Sequence, residues 1–423
     1  MSEFDKIIGY EDVKMELIRF CDVFRDPDKY RELGVTVPSG ILLYGEPGVG
    51  KTSMAKSFIA ESGCKSITLR KEKPNGAFVD EIRSTYQKAE EEGIRIVFLD
   101  DIDKFANEDY SKPNAEEYVT VQSCIDEYKE HGVFTIATAN DIYALPESLK
   151  RSGRFDKTIL MKWPKGKDAI SIIKHYLSKK EVIGDVDAEE IAKLMDGYSC
   201  ADLESVINEA GIYAGFDNRT KIGQEDLVKA CTRFLFEAPE SLETDLSPEI
   251  VRMTAYHEAG HAVVSELLIP GSVSLISVNR HSGPTGGLTK YVHFEDRSIT
   301  KSYQENRIMR ELAGKAATEV VYGTADIGCR ADMTLVFDDM AELVDDNCAY
   351  GFETYDYGNS SEYLLENKNR LTATEVERLY KLTKKLILDN RGFLDAVVEE
   401  LMRNETITYR GFQEIKKGLG ICA

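Results

Sequence analysis

Residues 45–52 form a pattern whose residue types and spacing suit phosphate chemistry. The run Gly45-Glu46-Pro47-Gly48-Val49-Gly50-Lys51-Thr52 fits G-x-x-x-x-G-K-[ST], between the apolar run ILLY and a helical pattern. Glycines let the backbone wrap a phosphate chain with its N–H groups pointing inward, at a helix N-terminus that favours anions. We expect Lys51 to neutralise phosphate charge and the Thr52 hydroxyl to hold Mg²⁺. The pattern therefore predicts a nucleotide site rather than an ordinary glycine turn.

Two aspartates and an asparagine follow the next apolar runs. Residues 95–99 are typical of a buried strand and end in Asp100 and Asp101, at the position where doubly wound sheets present their ligands. We expect Asp100 to hold Mg²⁺ and Asp101 to polarise the attacking water. A further run, VFTIATAN, ends in Asn140, whose amide could orient that water. Without the phosphate loop, the aspartates would indicate only a solvated acidic turn with Asp103, and Asn140 a helix cap.

A second chemical pattern lies in the other half of the chain. His257-Glu258-Ala259-Gly260-His261 is H-E-x-x-H within a helical pattern. This spacing puts two imidazoles on one helical face, one turn apart, where they can share a zinc ion with Glu258 as general base. The alternative is a pair of histidines on the surface of a helix.

The third protein ligand of such a zinc is not fixed by spacing. The metzincin continuation would need Gly at position 264 and His at 267, where Val264 and Leu267 stand. A thermolysin-like glutamate shortly downstream is also missing, since no Glu occurs between Glu266 and Glu295. The spacing leaves many acidic candidates.

The elements that must position these residues are indicated by hydrophobic periodicity. β-rich runs alternate with helical patterns up to about Met161, which predicts a parallel sheet covered by helices on both faces. Helical periodicity then continues to about Leu235, as in a small helical lid. The acidic, breaker-rich stretch at 237–247 predicts a domain boundary. A helix should begin at Ser247-Pro248 and end at Pro270, followed by a short β-rich patch and then helices to the C-terminus.

Composition excludes several classes of function. The 53 basic and 74 acidic residues give a net charge of −21, so nucleic acid is not an expected partner. No apolar run approaches the ~20 residues that span a bilayer. The cysteines are scattered without a Cys-x-x-Cys pair, which indicates a reduced, cytoplasmic setting.

The segment Arg151-Ser152-Gly153-Arg154-Phe155-Asp156 alone could be a surface ion-pair turn. Together with the phosphate loop, however, it resembles the AAA family of ATPases. The resemblance implies that Arg151 and Arg154 are paired arginine fingers, which reach the γ-phosphate bound in a neighbouring subunit. Residues acting in trans require a ring, so a homo-hexamer is implied. Residues 198–203 likewise look like the second sensor region of that family.

From about Phe4 onward the chain is similar to the FtsH-like AAA zinc metalloproteases, through TAYHEAGHAVV, VVYGTADIGCRADMTLV and LDNRGFLDAVVEELMRNETI. In that family the third zinc ligand is an aspartate, which falls on Asp332, near the start of an amphipathic helical pattern. Asp326 is the second candidate. The resemblance also implies that residues 287–292 form an edge strand beside the zinc, which binds extended peptide through its main chain. A hairpin strand without a substrate role is the alternative.

The implied architecture is an α/β AAA ATPase module followed by a mainly α zinc metallopeptidase domain. We expect the α/β subdomain at 1–163, the helical lid at 164–238, a linker at 239–247 and the peptidase at 248–423. The implied cofactors are Zn²⁺ and ATP with Mg²⁺, and the implied substrates are unfolded or tagged proteins.

Three departures from the family pattern qualify this expectation. Family members normally begin with transmembrane helices, whereas this chain begins directly at the ATPase, as a soluble member or the cytoplasmic part of a membrane-anchored parent. Asp101 replaces the usual glutamate and is one methylene shorter, which predicts slow hydrolysis or shifted geometry. The loop expected to grip substrate, Arg70 to Phe78, is short and basic, with Phe78 as its only aromatic residue.

Two functions follow from these patterns. The first is an ATP-dependent zinc endopeptidase in which ATP hydrolysis drives substrate into a hexameric chamber. The second is a zinc peptidase whose AAA module controls assembly through nucleotide binding without acting as a motor. A chaperone-like remodeller with an incidental zinc site is a third possibility.

Overall fold

The structure is a computed structural model that describes residues 2–35, 38–71, 78–106, 115–182, 186–239, 241, 247–279, 286–294, 300–324, 327–355, 358 and 361–421. Up to residue 235 the helices and strands are α1 (Glu11–Arg25), α2 (Pro27–Glu32), β1 (Gly40–Tyr44), α3 (Lys51–Ser62), β2 (Ser66–Arg70), α4 (Phe78–Glu91), β3 (Ile96–Asp100), α5 (Glu116–Tyr128), β4 (Phe134–Ala139), β5 (Lys157–Leu160), α6 (Gly166–Leu177), α7 (Ala188–Leu194), α8 (Cys200–Phe216) and α9 (Gln224–Leu235). They are followed by α10 (Pro248–Leu268), β6 (Val273–Ser277), β7 (Leu288–Tyr291), α11 (Lys301–Tyr322), α12 (Arg330–Asp345), α13 (Glu362–Asp389), α14 (Arg391–Asn404), β8 (Thr406–Thr408) and α15 (Tyr409–Gly418).

The chain forms two compact units. The first comprises Met1–Glu181 with Gly197–Asn208, and the second comprises Val182–Asp196 with Glu209–Ala423. Helices α7 and α9, which belong to the predicted lid, therefore group with the second unit, where α7 contacts β6 and α15. The predicted boundaries at 163 and 238 stay predictions.

The first unit is built on a five-stranded parallel sheet in the order β2-β3-β4-β1-β5. Strands β1, β3 and β4 consist almost wholly of buried residues, which is expected of parallel strands covered on both faces. Because β3, β4 and β1 are neighbours, their carboxyl ends lie side by side at one edge of the sheet. This edge carries Tyr44 before the phosphate loop, Asp100 before Asp101, and Ala139 before Asn140.

The second unit is mainly helical and contains a three-stranded antiparallel sheet in the order β7-β6-β8. Helices α10 and α11 pack closely because Gly260 has no side chain: a Cβ there would lie 2.6 Å from the Ala313 carbonyl oxygen. The same Cβ would lie 2.6 Å from Ala317 Cβ. Small residues at these positions therefore bring the backbone of α11 against the helix that carries H-E-x-x-H.

Local signals explain where α10 begins and ends. The Ser247 hydroxyl accepts a hydrogen bond from the Ile250 N–H, Pro248 occupies the first turn, and the helix ends before Pro270. The helix predicted from these residues is confirmed. The prediction of helices alone after the β-rich patch was wrong, because β8 pairs with β6. Its three residues are too few to show strand periodicity.

Within the described residues, we find no helix with the length and apolar character needed to cross a lipid bilayer.

Candidate nucleotide and metal sites

The phosphate-binding loop connects β1 to α3 at the carboxyl edge of the sheet. Gly45, Gly48 and Gly50 have φ angles of 146°, 80° and 96°, which residues with side chains rarely adopt. A Cβ on Gly45 would lie 2.1 Å from the Met161 carbonyl oxygen, and one on Gly48 would lie 2.5 Å from Ser199 Oγ. Both backbone conformation and space therefore require glycine in this loop.

Lys51 is buried against the loop that precedes it. Its ammonium group donates hydrogen bonds to the carbonyl oxygens of Gly45, at 2.7 Å, and Glu46, at 2.8 Å. Burial lowers the pKa of Lys51, although the charges of Asp101 and Asp103 oppose this shift. The position of this cation against the backbone of the loop fits the phosphate-neutralising role predicted for Lys51.

Thr52 and Asp100 meet across the edge of the sheet. The Thr52 hydroxyl donates to Asp100 Oδ1 at 2.9 Å, and the Thr138 hydroxyl donates to the same oxygen at 2.8 Å. A hydroxyl and a carboxylate in contact are hard oxygen donors of the kind that Mg²⁺ prefers. The residues predicted to hold the metal of a nucleotide are therefore adjacent, and their chemistry fits that ion.

Asp101 lies beside this pair but is engaged by two cations. Lys104 approaches its Oδ2 to 2.8 Å and Arg70 to 3.3 Å, and its backbone has a positive φ of 57°. From the sequence, Arg70 was predicted only to be part of the basic loop. Its contact with Asp101 depends on the pairing of β2 with β3, which sets Arg70 opposite Asp100. Knowledge of the strand order is needed to find it.

Asn140 lies at the end of β4, where its backbone N–H bonds to the Asp103 carboxyl group. Burial raises the pKa of Asp103, whose Oδ1 is buried without a hydrogen-bond partner in the described part of the chain. Asp103 is thus not the solvated turn residue that its sequence position suggested. The water-orienting role of the Asn140 side chain stays a prediction.

The two candidate arginine fingers have different surroundings. Arg154 donates through Nε and Nη2 to Asp126, with a closest distance of 2.7 Å, and through Nη1 to Gln122 at 2.8 Å and the Ser148 carbonyl at 2.6 Å. Arg151 is exposed and makes no side-chain hydrogen bond or ion pair with any residue the structure describes. Only Arg151 is therefore available, without rearrangement, to a neighbouring molecule.

The residues predicted to hold zinc come together in the second unit. His257 Nε2 lies 3.1 Å from Asp332 Oδ2, His261 Nε2 lies 3.4 Å from it, and the two nitrogens are 3.0 Å apart. The three ligand atoms lie within 4.8 Å of one another. Asp332 is in the first turn of α12, as expected from the amphipathic pattern. Two imidazoles and one carboxylate are a donor set that zinc accepts, with a fourth position left for water.

Two features orient the imidazoles toward a common point. His261 Nδ1 lies 2.7 Å from the Arg310 carbonyl oxygen, so it carries the proton and leaves the Nε2 lone pair for a metal. Gly314 of α11 provides the space for both rings: a Cβ there would lie 2.5 Å from His261 Nε2 and 2.6 Å from His257 Nε2. The donor set and this space both fit a bound zinc ion.

Without a metal, His261 and Asp332 form a buried charge pair. Burial lowers the pKa of His261, but the hydrogen bond and charge of Asp332 outweigh it and raise the value to about 9. For Asp332, burial raises the pKa, while the hydrogen bonds from both imidazoles hold it well below its usual range. At neutral pH His261 is therefore an imidazolium and Asp332 a carboxylate. A metal ion that binds must displace a proton from His261.

Glu258 is buried next to the three candidate metal ligands, and its carboxyl group is positioned by strand β7 and the residue before it. Thr289 donates to Glu258 Oε2 at 2.7 Å, and a Cβ on Gly287 would lie 2.7 Å from Glu258 Oε1. Burial raises the pKa of Glu258, while the imidazoles and Thr289 oppose this shift. A carboxyl group with a raised pKa beside a metal site is suited to accept and return a proton.

Strand β7 forms one edge of its sheet, since it pairs only with β6 in the described part of the chain. This is the strand expected at 287–292. Gly287 and Thr289 belong to that predicted strand, but their positions against Glu258 were not predicted, and neither Gly314 nor the Arg310 carbonyl was singled out from the sequence. These roles depend on packing between distant segments.

Two further expectations concern residues that the structure covers only in part. Asp326, the second candidate ligand, and residues 72–77 of the basic loop lie outside the described residues. Phe78, the one aromatic residue of that loop, is buried at the first position of α4 and packs edge-on against Phe105, with ring centroids 4.9 Å apart. In this conformation Phe78 serves the core and does not present an exposed aromatic surface to substrate.

Known protein families match the regions of the chain that carry the two sites. Residues 41–162 match the ATPase family associated with various cellular activities (AAA), residues 185–229 the AAA+ lid domain, and residues 245–354 peptidase family M41. The fold and the sites thus define an AAA ATPase module joined to an M41-type metallopeptidase.

Relatives extend the match over nearly the whole chain. The ATP-dependent zinc metalloprotease FtsH 3 of Symbiobacterium thermophilum is 30% identical over 98% of this chain and 71% of its own length. FtsH 2 of a Thermoanaerobacter species is 28% identical over 96% of this chain and 81% of its own length. The corresponding FtsH of Thermus thermophilus is 29% identical, over 98% and 70%. The chain belongs to the FtsH family of ATP-dependent zinc metalloproteases.

Proposed function

We propose that this chain is an ATP-dependent zinc endopeptidase that degrades unfolded or tagged proteins. The observation that carries the proposal is the meeting of His257, His261 and Asp332 beside the buried Glu258. The phosphate loop and Asp100 of the first unit supply the second activity. Membership of the FtsH family supports the combination of both activities in one chain.

In the peptidase site, His257, His261 and Asp332 would hold zinc. Bound there, zinc supplies Lewis-acid chemistry, which lowers the pKa of a water molecule and stabilises negative charge on the scissile carbonyl oxygen. Glu258 takes the proton from the attacking water and returns it to the leaving amide nitrogen. The Thr289 hydroxyl, bonded to Glu258 Oε2, fixes the direction in which the carboxyl group faces.

Substrate backbone binds along β7. An edge strand presents unpaired N–H and C=O groups, which pair with an extended peptide whatever its side chains. Because Thr289 bonds to Glu258 and a side chain at Gly287 would collide with it, a peptide added to this edge would pass beside the general base. This arrangement suits a protease that must cut many sequences.

In the nucleotide site, residues Gly45 to Thr52 bind the phosphates of ATP, and Thr52 with Asp100 holds Mg²⁺. Asp101 polarises the attacking water, and Asn140 orients it. Arg151 acts on the nucleotide of the next subunit, and Arg154 would join it after release from Asp126. Such action between subunits requires a closed ring, and we propose a homo-hexamer. The exposure of Arg151 supports its role as the residue that reaches across.

Three proteins test both activities: the parent chain, Glu258→Gln and Lys51→Ala. We expect the parent to contain one zinc per chain and to degrade casein with ATP. Glu258→Gln should retain zinc and ATPase activity but lose proteolysis by at least about 1000-fold, since it cannot take up a proton. Lys51→Ala should lose ATP turnover. Proteolysis by Glu258→Gln at the parent rate would contradict the proposed mechanism.

The dependence of proteolysis on ATP hydrolysis is tested with the parent chain alone. Casein degradation is measured with ATP, with ADP and with a non-hydrolysable ATP analogue. We expect degradation with ATP only. Equal rates in the three conditions would contradict an ATP-driven mechanism and would leave the AAA module as an assembly element controlled by nucleotide.

A further inference from the structure

An ion pair of two consecutive residues, Arg310 and Glu311, is buried next to the metal ligands. The guanidinium donates through Nε and Nη2 to Glu311 Oε1 at 2.9 and 2.6 Å, and each side chain is 11% exposed. Burying such a pair is costly, and apolar residues of similar volume are often as stable or more so. Stability therefore does not explain the pair, and neither side chain has a part in the chemistry described above.

The guanidinium also lies on the ring of Tyr291, with its central carbon 3.8 Å from the ring centroid. Tyr291 is the last residue of β7. That strand has four residues and pairs with β6 alone in the described part of the chain, and the pairing is interrupted on the β6 side between Val273 and Leu275. Because so short a strand has a partner on one side only, a desolvated cation on its last aromatic ring adds to its attachment.

Tyr291 and Thr289 lie on the same face of β7, because side chains of a strand alternate. Thr289 contacts Glu258, so a shift of Tyr291 along or away from α11 would shift Thr289 against the general base. The backbone carbonyl of Arg310 meanwhile accepts from His261 Nδ1. One residue of α11 thus contacts both the strand that binds peptide and a metal ligand.

We propose that Arg310, paired with Glu311, is a positioning residue: through Tyr291 it sets β7 at the distance from Glu258 at which an extended peptide backbone is attacked. Arg310 does not touch the substrate. The inference rests on the proposed function, since it assumes that β7 binds peptide.

Peptide affinity gives a test that does not need catalysis. The full chain carrying Glu258→Gln is loaded with zinc and titrated into a fluorescently labelled unstructured peptide, and anisotropy reports the Kd. Adding Arg310→Met with Glu311→Leu removes both charges and leaves neither buried alone. We expect the Kd to rise about 10-fold, the effect of losing a buried cation–π contact. Tyr291→Leu should match it, whereas Tyr291→Phe, which keeps the ring, should restore most of the affinity.

The same changes in the active chain should raise KM for casein about 10-fold and lower kcat less, since the chemical groups remain. Lys384→Met is the matched control. Lys384 belongs to α13, pairs with Glu319 of α11 at 2.6 Å and lies 5.5 Å from the Tyr380 ring, so it resembles Arg310 in its contacts but does not touch β7. It should leave Kd, KM and kcat unchanged. Zinc content and melting temperature are measured for every variant.

Parent-like peptide affinity in Arg310→Met/Glu311→Leu, or in Tyr291→Leu, would overturn the inference. So would weaker binding accompanied by zinc loss, because the effect would then pass through His261 and not through β7. A parent chain that bound peptide but showed no zinc-dependent cleavage would count against the proposed function alone, since the affinities would still decide the role of Arg310.

Discussion

At the scale of single residues, the two sites hold their key carboxyl groups in opposite surroundings. Asp101 lies between Lys104 and Arg70, whose positive charges partly neutralise its carboxylate. Glu258 is buried and bonded to one hydroxyl, and burial raises its pKa. The first environment suits a carboxylate that orients water, and the second suits one that exchanges a proton.

The role of Asp101 can be tested by removing its charge. We expect Asp101→Asn to lower ATP turnover about 100-fold, because the side chain that polarises the attacking water would lose its charge, with nucleotide affinity unchanged. Turnover and the Kd for a fluorescent ATP analogue are the measurements, and Asp28→Asn on the exposed surface of α2 is the control. If Asp103→Asn caused the loss and Asp101→Asn did not, the neighbouring buried carboxyl would be the group that activates water.

Gly314 gives a prediction for the metal site. In Gly314→Ala the new methyl group would lie 2.5 Å from His261 Nε2, so the imidazoles must move apart. We expect bound zinc to fall well below one per chain, measured by metal analysis after dialysis. Gly392→Ala, in helix α14 with no atom within 4 Å of the added Cβ, is the matched control and should keep its zinc. Full zinc content in Gly314→Ala would show that the site does not need this space.

At the scale of secondary structure, the helices of the second unit are fixed by buried polar contacts as well as by the apolar core. Glu266, near the end of α10, accepts from Lys416 of α15 at 2.7 Å and from the Gly271 N–H at 3.0 Å. The side chains of Glu266 and Lys416 are 1% and 8% exposed. A charge this deeply buried depends on its partner.

We therefore expect Lys416→Met to lower the free energy of unfolding by about 3–5 kcal/mol, since Glu266 would keep a buried, unpaired charge. Lys416→Met/Glu266→Leu should recover more than half of that loss. Urea unfolding at neutral pH measures both proteins, with zinc and nucleotide held constant. A double variant no more stable than Lys416→Met would show that packing, and not the unpaired charge, causes the loss.

The sequence predicted the elements whose signals are local. The phosphate loop, the strands of the parallel sheet and helix α10 each follow from glycine spacing, apolar runs or caps within a few residues. Strand β8 was missed because three residues carry no period, and its existence depends on pairing with β6.

The contacts that complete the sites come from distant segments. The Thr289 contact with Glu258 and the Arg70 contact with Asp101 join residues 31 positions apart in each case. No local pattern encodes such a contact, since it requires the register of β7 or the order of the parallel strands. Asp332 was placed by resemblance to a family, because spacing alone left many acidic candidates.

At the scale of the whole molecule, each activity belongs to one compact unit. The residues of the phosphate loop with Asp100 and Asp101 lie in the first unit, and His257, Glu258, His261 and Asp332 lie in the second. Completion of the nucleotide site by a second copy of the chain would make ATP hydrolysis a property of the assembly.

Substitutions of Arg151 and Arg154 should distinguish an effect on ATP hydrolysis between subunits from an effect on the stability of one subunit. Arg151→Ala should lower ATP turnover about 1000-fold without changing the melting temperature, since Arg151 is exposed and, in the proposed ring, would act on a neighbouring subunit. Arg154→Ala should also lower the melting temperature, because its bonds to Asp126, Gln122 and Ser148 lie within one subunit. Steady-state ATPase assays and thermal unfolding measure both. A destabilised Arg151→Ala, or an Arg154→Ala as stable as the parent, would contradict this division.

The position of β7 at a sheet edge has a consequence for how the enzyme chooses what it destroys. In the proposed function, β7 binds substrate through main-chain hydrogen bonds alone, and such an edge strand does not distinguish one polypeptide from another. The choice between substrate proteins must then be made earlier, when a protein enters the chamber. The peptides released should accordingly show little residue preference on either side of the cut. Their lengths should be set by how far the substrate polypeptide advances between cuts.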